Sequence, residues 1–77
     1  MQPEAVAALI SADIPEAEVR VTGDGSHFDA IVISRAFAGL SLLNRQRKVY
    51  ASVNEHIVSG ELHALSIKTF TPEEWTG

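Results

Sequence analysis

Apolar and polar positions alternate along this chain in two distinct rhythms, and the switches between them predict its elements. Val6, Leu9 and Ile10 recur at helical spacing, so Gln2 to Asp13 reads as a helix. Pro3 suits its first turn and Glu4 complements its dipole. Pro15 ends it by pushing the preceding residue out of the helical region. The rhythm then changes to alternation from Glu18 to Thr22, with Val19 and Val21 on one face and Glu18 and Arg20 on the other. That is a half-buried strand, placed at an edge. A second strand covers Phe28 to Ser34, where the continuous run Ala30-Ile31-Val32-Ile33 suits a central strand covered on more than one side.

Phe37 and Gly39 belong to a connection, and the helical rhythm returns from Ser41 to Ser59. Leu42, Leu43, Val49, Tyr50, Val53 and Ile57 form its apolar stripe, Ser41 can cap it, and Gly60 stands where a left-handed C-terminal residue is wanted. A break early in this stretch is expected, without a fixed position. Ala64 to Phe70 is a third strand, free of Gly and Pro. Thr71-Pro72-Glu73-Glu74 reads as the start of a short helix, with Thr71 and Glu74 spaced as a capping box. Trp75 then folds back over the edge of the core.

The expected order is α-β-β-α-β-α in one domain over residues 1–77, an α/β (α+β) fold. The first two strands pair antiparallel through the Gly23-Asp24-Gly25-Ser26 connection. A helix separates the second and third strands, so these are parallel with a right-handed crossover. The result is a three-stranded mixed sheet with helices on one face. The glycine-containing connection could also cradle a phosphate, but it lacks the Walker spacing and no helix follows it.

A chain of 77 residues builds a thin core, and with no cysteine it has neither disulfides nor thiolate metal ligands. A partner or bound cluster could supply part of the missing stability. Ten acids against six bases give a net charge of −4, which argues against a domain dedicated to nucleic acid. No apolar run reaches the roughly 18 residues of a membrane span, and the N-terminus does not read as a signal peptide. A soluble cytoplasmic domain is expected.

Three histidines carry the candidate chemistry. His56 lies in the main helix beside Glu55 and is assigned none. His27 and His63 each stand where a strand begins. If those strands are adjacent and parallel, about 4.8 Å apart, the two side chains share one end of the sheet and can approach one ion or cluster. Lone histidines at strand ends are also common, and two of them make half a tetrahedral site. The missing half would come from another molecule. A second constellation is basic: from Ala30 to Asn54 there is no acid, while Arg35, Arg45, Arg47 and Lys48 all fall there. The readings are an ordinary solvated helix face, docking to an acidic partner, or weak nucleic-acid binding. No nucleophile elbow and no convincing carboxylate pair is present, and a chain this short has little room for a substrate pocket, so an enzyme is not expected.

The run Leu42-Leu43-Asn44-Arg45-Gln46-Arg47-Lys48-Val49-Tyr50, with His63-Ala64-Leu65-Ser66-Ile67-Lys68-Thr69 and Thr71-Pro72-Glu73-Glu74-Trp75, resembles the BolA family. Through Val21-Thr22-Gly23-Asp24-Gly25-Ser26-His27-Phe28 it is most similar to the short bacterial YrbA/IbaG branch. The resemblance spans nearly the whole chain. It implies a fold similar to the class II KH domain, although no Gly-x-x-Gly clamp loop occurs here. It also implies partnership with a monothiol glutaredoxin in iron-sulfur trafficking or iron homeostasis. In such complexes a [2Fe-2S] cluster is shared, and the glutaredoxin brings its cysteine and a bound glutathione. By that pattern His63 matches the family's characteristic histidine, and His27 matches a loop position where some members carry histidine or cysteine. Alone, the chain would be a monomer or weak homodimer. As the alternative, the resemblance also allows a stress-response role as a DNA-binding transcription regulator, supported by the basic patch but opposed by the acidic total and the missing clamp loop.

Overall fold

The computed structural model describes residues 1–24 and 27–75. Helix α1 spans Pro3–Asp13 and buries Val6 and Ile10. Its exit is as expected of a residue before proline: Ile14 turns to extended backbone, and its N–H still donates to the Ile10 carbonyl. Strands β1 (Glu18–Gly23) and β2 (His27–Ile33) follow. A 3₁₀ turn at Arg35–Phe37 leads to α2 (Leu42–Val58) and then β3 (Ala64–Phe70). Ser34, fully buried, holds the junction between them. Its Oγ donates to the Pro15 carbonyl at 2.6 Å and accepts from the Ala36 N–H at 3.0 Å.

The sheet order is β1-β2-β3. β1 and β2 are antiparallel, from Glu18 opposite Ile33 to Gly23 opposite Phe28. β2 and β3 are parallel, with His27 opposite Ala64 and Ile33 opposite Phe70. Gly25 and Ser26 of the expected connection lie outside the described residues. Alternation turns Phe28, Ala30 and Val32 toward the helices, where they join Val6, Ile10, Phe37, Val49, Val53 and Leu62 in the core. Among the described residues the opposite face is covered at one end only. There Ile33 is buried beside Phe70, whose ring meets Trp75 edge-on at 5.1 Å between centroids. Arg20 lies over the same indole at 5.3 Å. Among the described residues the expected second cover of β2 is therefore Trp75 and not a layer, and none of them covers the end that begins with His27.

Three expectations change. No break interrupts α2: Ser41 accepts from the Asn44 N–H at 3.2 Å, the helix runs on to Val58, and the irregular turn lies before it, at Arg35–Phe37. Leu42 and Leu43 leave the apolar stripe, being 70% and 59% exposed, and Arg45 takes the buried position in line with Val49 and Val53. After Phe70 the chain forms one hydrogen-bonded turn and not a helix, although the capping box itself is present: Thr71 Oγ1 accepts from Glu74 N–H at 3.3 Å, and Glu74 Oε1 accepts from Thr71 N–H at 2.9 Å.

On β3, Thr69 points its hydroxyl into the helix-covered side and finds no hydrogen-bond partner among the described residues. Valine has the same shape without the desolvated hydroxyl. Thr69→Val should raise stability by about 1 kcal/mol, read as a higher urea midpoint at unchanged slope. A lower midpoint would show that the hydroxyl is satisfied in solution.

Candidate functional site

The first residue of β2 is held by its own connection. Asp24 Oδ1 accepts from the His27 N–H at 2.9 Å, and Asp24 N–H donates to the His27 carbonyl at 3.2 Å. Strand alternation puts the His27 ring on the open face, on the side of Asp29, with Nε2 4.0 Å from Oδ1. His63 immediately precedes Ala64, the register partner of His27. One strand spacing and one Cα step then separate the two Cα atoms by no more than about 9 Å. Both residues are exposed, and the His63 ring has no hydrogen-bond or ion-pair partner among the described residues. Parallel pairing of β2 and β3 therefore brings the two histidines to one end of the sheet. Among the described residues no group of three or more His, Cys, Asp or Glu is placed to hold a metal. Two exposed imidazoles would make at most half a coordination sphere, and a complete one would need ligands from outside the chain.

His56 has a partner that the sequence did not suggest. Its Nδ1 meets Glu61 Oε1 at 2.9 Å across the end of α2, and Ser59 Oγ donates to the same oxygen at 3.1 Å. These bonds, that of His56 first, hold the Glu61 carboxyl below the ordinary carboxylate range.

The basic constellation separates into three. Arg45 is corrected from a surface charge to a buried one, only 7% exposed. Its guanidinium forks onto Glu74, Nη1 to Oε1 at 2.7 Å and Nη2 to Oε2 at 3.2 Å, while Nε donates to the Leu40 carbonyl at 3.1 Å. Glu74 holds the Arg45 guanidinium above its usual range, first through the hydrogen bond. Arg35 stands apart on the 3₁₀ turn, 3.9 Å from Glu16. It borders an open cleft of about 520 Å³ that Glu16 and Glu73 also line, so its charge is offset. Arg47 and Lys48 alone remain as exposed bases on α2. They share its early turns with the exposed Leu42 and Leu43, which hydrophobicity alone had assigned to the core. Between α2 and the free edge of β3, Gln46 Nε2 donates to the Ile67 carbonyl at 2.9 Å and Tyr50 Oη to the Leu65 carbonyl at 3.1 Å. These bonds close edge carbonyls that would otherwise invite another strand.

Among the described residues no helix is long and apolar enough to cross a membrane. The family model described as BolA-like protein matches residues 8–74. The acid stress protein IbaG of Escherichia coli K12 is 47% identical over 58 residues, covering 75% of this chain and 69% of that protein. A regulator of the same organism, the DNA-binding transcriptional regulator BolA, is 40% identical over 55 residues, which span 71% of this chain and 51% of the relative. The solved structure of a bolA protein homologue from Coxiella burnetii superposes with a TM-score of 0.86 at 37% identity, covering 96% of this chain and 95% of the other. These relatives are named as a stress protein, a regulator and a homologue, and none of the names is that of an enzyme.

Proposed function

Because this chain belongs to the BolA-like protein family, we propose that it is a non-enzymatic adaptor of the cytoplasm, sharing a [2Fe-2S] cluster with a monothiol glutaredoxin in iron-sulfur trafficking or iron homeostasis. The observation that carries this reading is the placement of His27 and His63 at adjacent starts of parallel strands, both exposed, in a chain without cysteine. His63 is assigned as the first ligand and His27 as the second. The partner's cysteine and its bound glutathione supply the thiolates. Imidazole in place of thiolate on one iron raises the reduction potential of such a cluster. A protonated ring has no free lone pair for iron, so acidification weakens the shared complex.

In a mixture with a monothiol glutaredoxin, iron, sulfide and glutathione, the protein should change the visible absorption and circular dichroism of the glutaredoxin-bound cluster. His63→Ala should return both to those of the glutaredoxin alone, and His27→Ala should shift them partway. A heteromeric spectrum that survives His63→Ala unchanged would remove the ligand assignment.

A second reading, a DNA-binding regulator, is favoured by the exposure of Arg47 and Lys48 and by the regulator among the relatives. It does not involve Arg45, whose charge is spent on Glu74. Under that reading, removing Arg47 and Lys48 together lowers the slope of log affinity against log salt by about 2, and His63→Ala leaves it unchanged.

A further inference from the structure

Resting on the ligand assignment above, we propose that the His56–Glu61 pair is a positioning device for His63, fixing the segment from which that imidazole would reach iron. The chain doubles back tightly over the last turn of α2. Gly60 adopts φ +86°, its N–H donates to the Ile57 carbonyl at 3.1 Å, and the Leu62 N–H donates to the His56 carbonyl at 3.0 Å. Glu61, on the outside of this turn, is tied by its carboxylate to His56 Nδ1 at 2.9 Å and Ser59 Oγ at 3.1 Å. A carboxylate only accepts, so Nδ1 carries the proton in this bond. Leu62 is 1% exposed and fills the core. Beyond His63, Tyr50 Oη anchors the Leu65 carbonyl at 3.1 Å.

His63 is thus an exposed residue between two anchored neighbours, and its own ring is tied to nothing among the described residues. A ligand on a loose loop binds more weakly in proportion to the time it spends out of place, so anchoring its neighbours raises its effective affinity. The His56–Glu61 bond is suited to this role because it is peripheral. The two side chains are 27% and 59% exposed, and the turn is already closed by Gly60 and Leu62. Its removal should therefore loosen the loop without unfolding the domain.

The test compares His56→Ala with His56→Asn, whose amide offers a donor close to where Nδ1 stands, and with His63→Ala as control. In the free protein, His56→Ala should lower the backbone order parameter at Glu61 from about 0.85 to below about 0.6, with a smaller drop at His63 because Leu62 stays packed, and little change in melting temperature. Titrated into cluster-loaded glutaredoxin, it should weaken formation of the heteromeric spectrum about fivefold. His56→Asn should restore both. Unchanged order parameters in His56→Ala, or lost order with unchanged affinity, overturn the proposal even where His63→Ala abolishes the spectrum. If His63→Ala has no effect, the ligand reading fails, and the proposal with it.

Discussion

Arg45→Met should lower stability by about 2 kcal/mol and the melting temperature by roughly 10 °C, more than any other change to the charged residues of α2. The guanidinium closes three parts of the chain at once: the α2 start that carries it, the connection that offers the Leu40 carbonyl, and the C-terminal turn that offers Glu74. It also lies over the Phe37 ring at 6.0 Å. Removing one member of a fully buried ion pair costs about 3–5 kcal/mol, because the other charge is left without water. Glu74 is 48% exposed and would be rehydrated, which places the expected loss below that range. The pair also has a pH signature. Arg45 first, then the Thr71 N–H, pull the Glu74 carboxyl down to about 2 from 4.5. Its folded value lies below its unfolded one, so this contribution is complete above about pH 4.5 and is lost as pH falls from there through about 2. Urea midpoints measured from pH 7 to pH 2 should fall along an acid limb in the natural protein that is shallower in Arg45→Met. Identical limbs would show that the fork does not persist in solution.

Gly23→Ala should cost a similar amount, about 2 kcal/mol, by a different route. Gly23 closes β1 opposite Phe28. A Cβ built there would stand 2.5 Å from the His27 carbonyl oxygen and 2.5 Å from Phe28 Cδ1. The first contact is backbone and the second belongs to a fully buried core ring, so neither can yield without moving the start of β2. That start carries His27. The substitution should therefore lower the melting temperature and, in the heteromeric complex, displace the cluster spectrum in the same direction as His27→Ala. A melting temperature within 1–2 °C of the natural protein, roughly the error of such a measurement, would show that the hairpin has slack.

Most of the fold was legible because its rhythms are clean. Alternation from Glu18 to Thr22, the continuous run in β2 and the helix between two strands determine the pairing directions, and those alone bring His27 and His63 together. The errors lie where a local pattern cannot say which way an element faces. Leu42 and Leu43 are apolar, but they fall off the line Arg45, Val49, Val53, Ile57, whose four-residue spacing marks the inward face. That spacing was the available signal, hidden because its first member is an arginine. The Thr71–Glu74 capping box was readable from two residues, whereas the second partner of Glu74 lies 29 positions away in sequence. Sequence alone likewise gives His56 no chemistry, because its partner stands beyond the helix end, across a turn that only Gly60 announces.

The most direct measurement is pulsed electron paramagnetic resonance on the reduced heteromeric complex, with nitrogen-15 histidine incorporated into this chain alone. Strong nitrogen-15 coupling to the cluster spin is expected, lost in His63→Ala and persisting in His56→Ala. A reduced cluster that forms in the mixture but shows no histidine coupling from this chain would contradict shared ligation by His63.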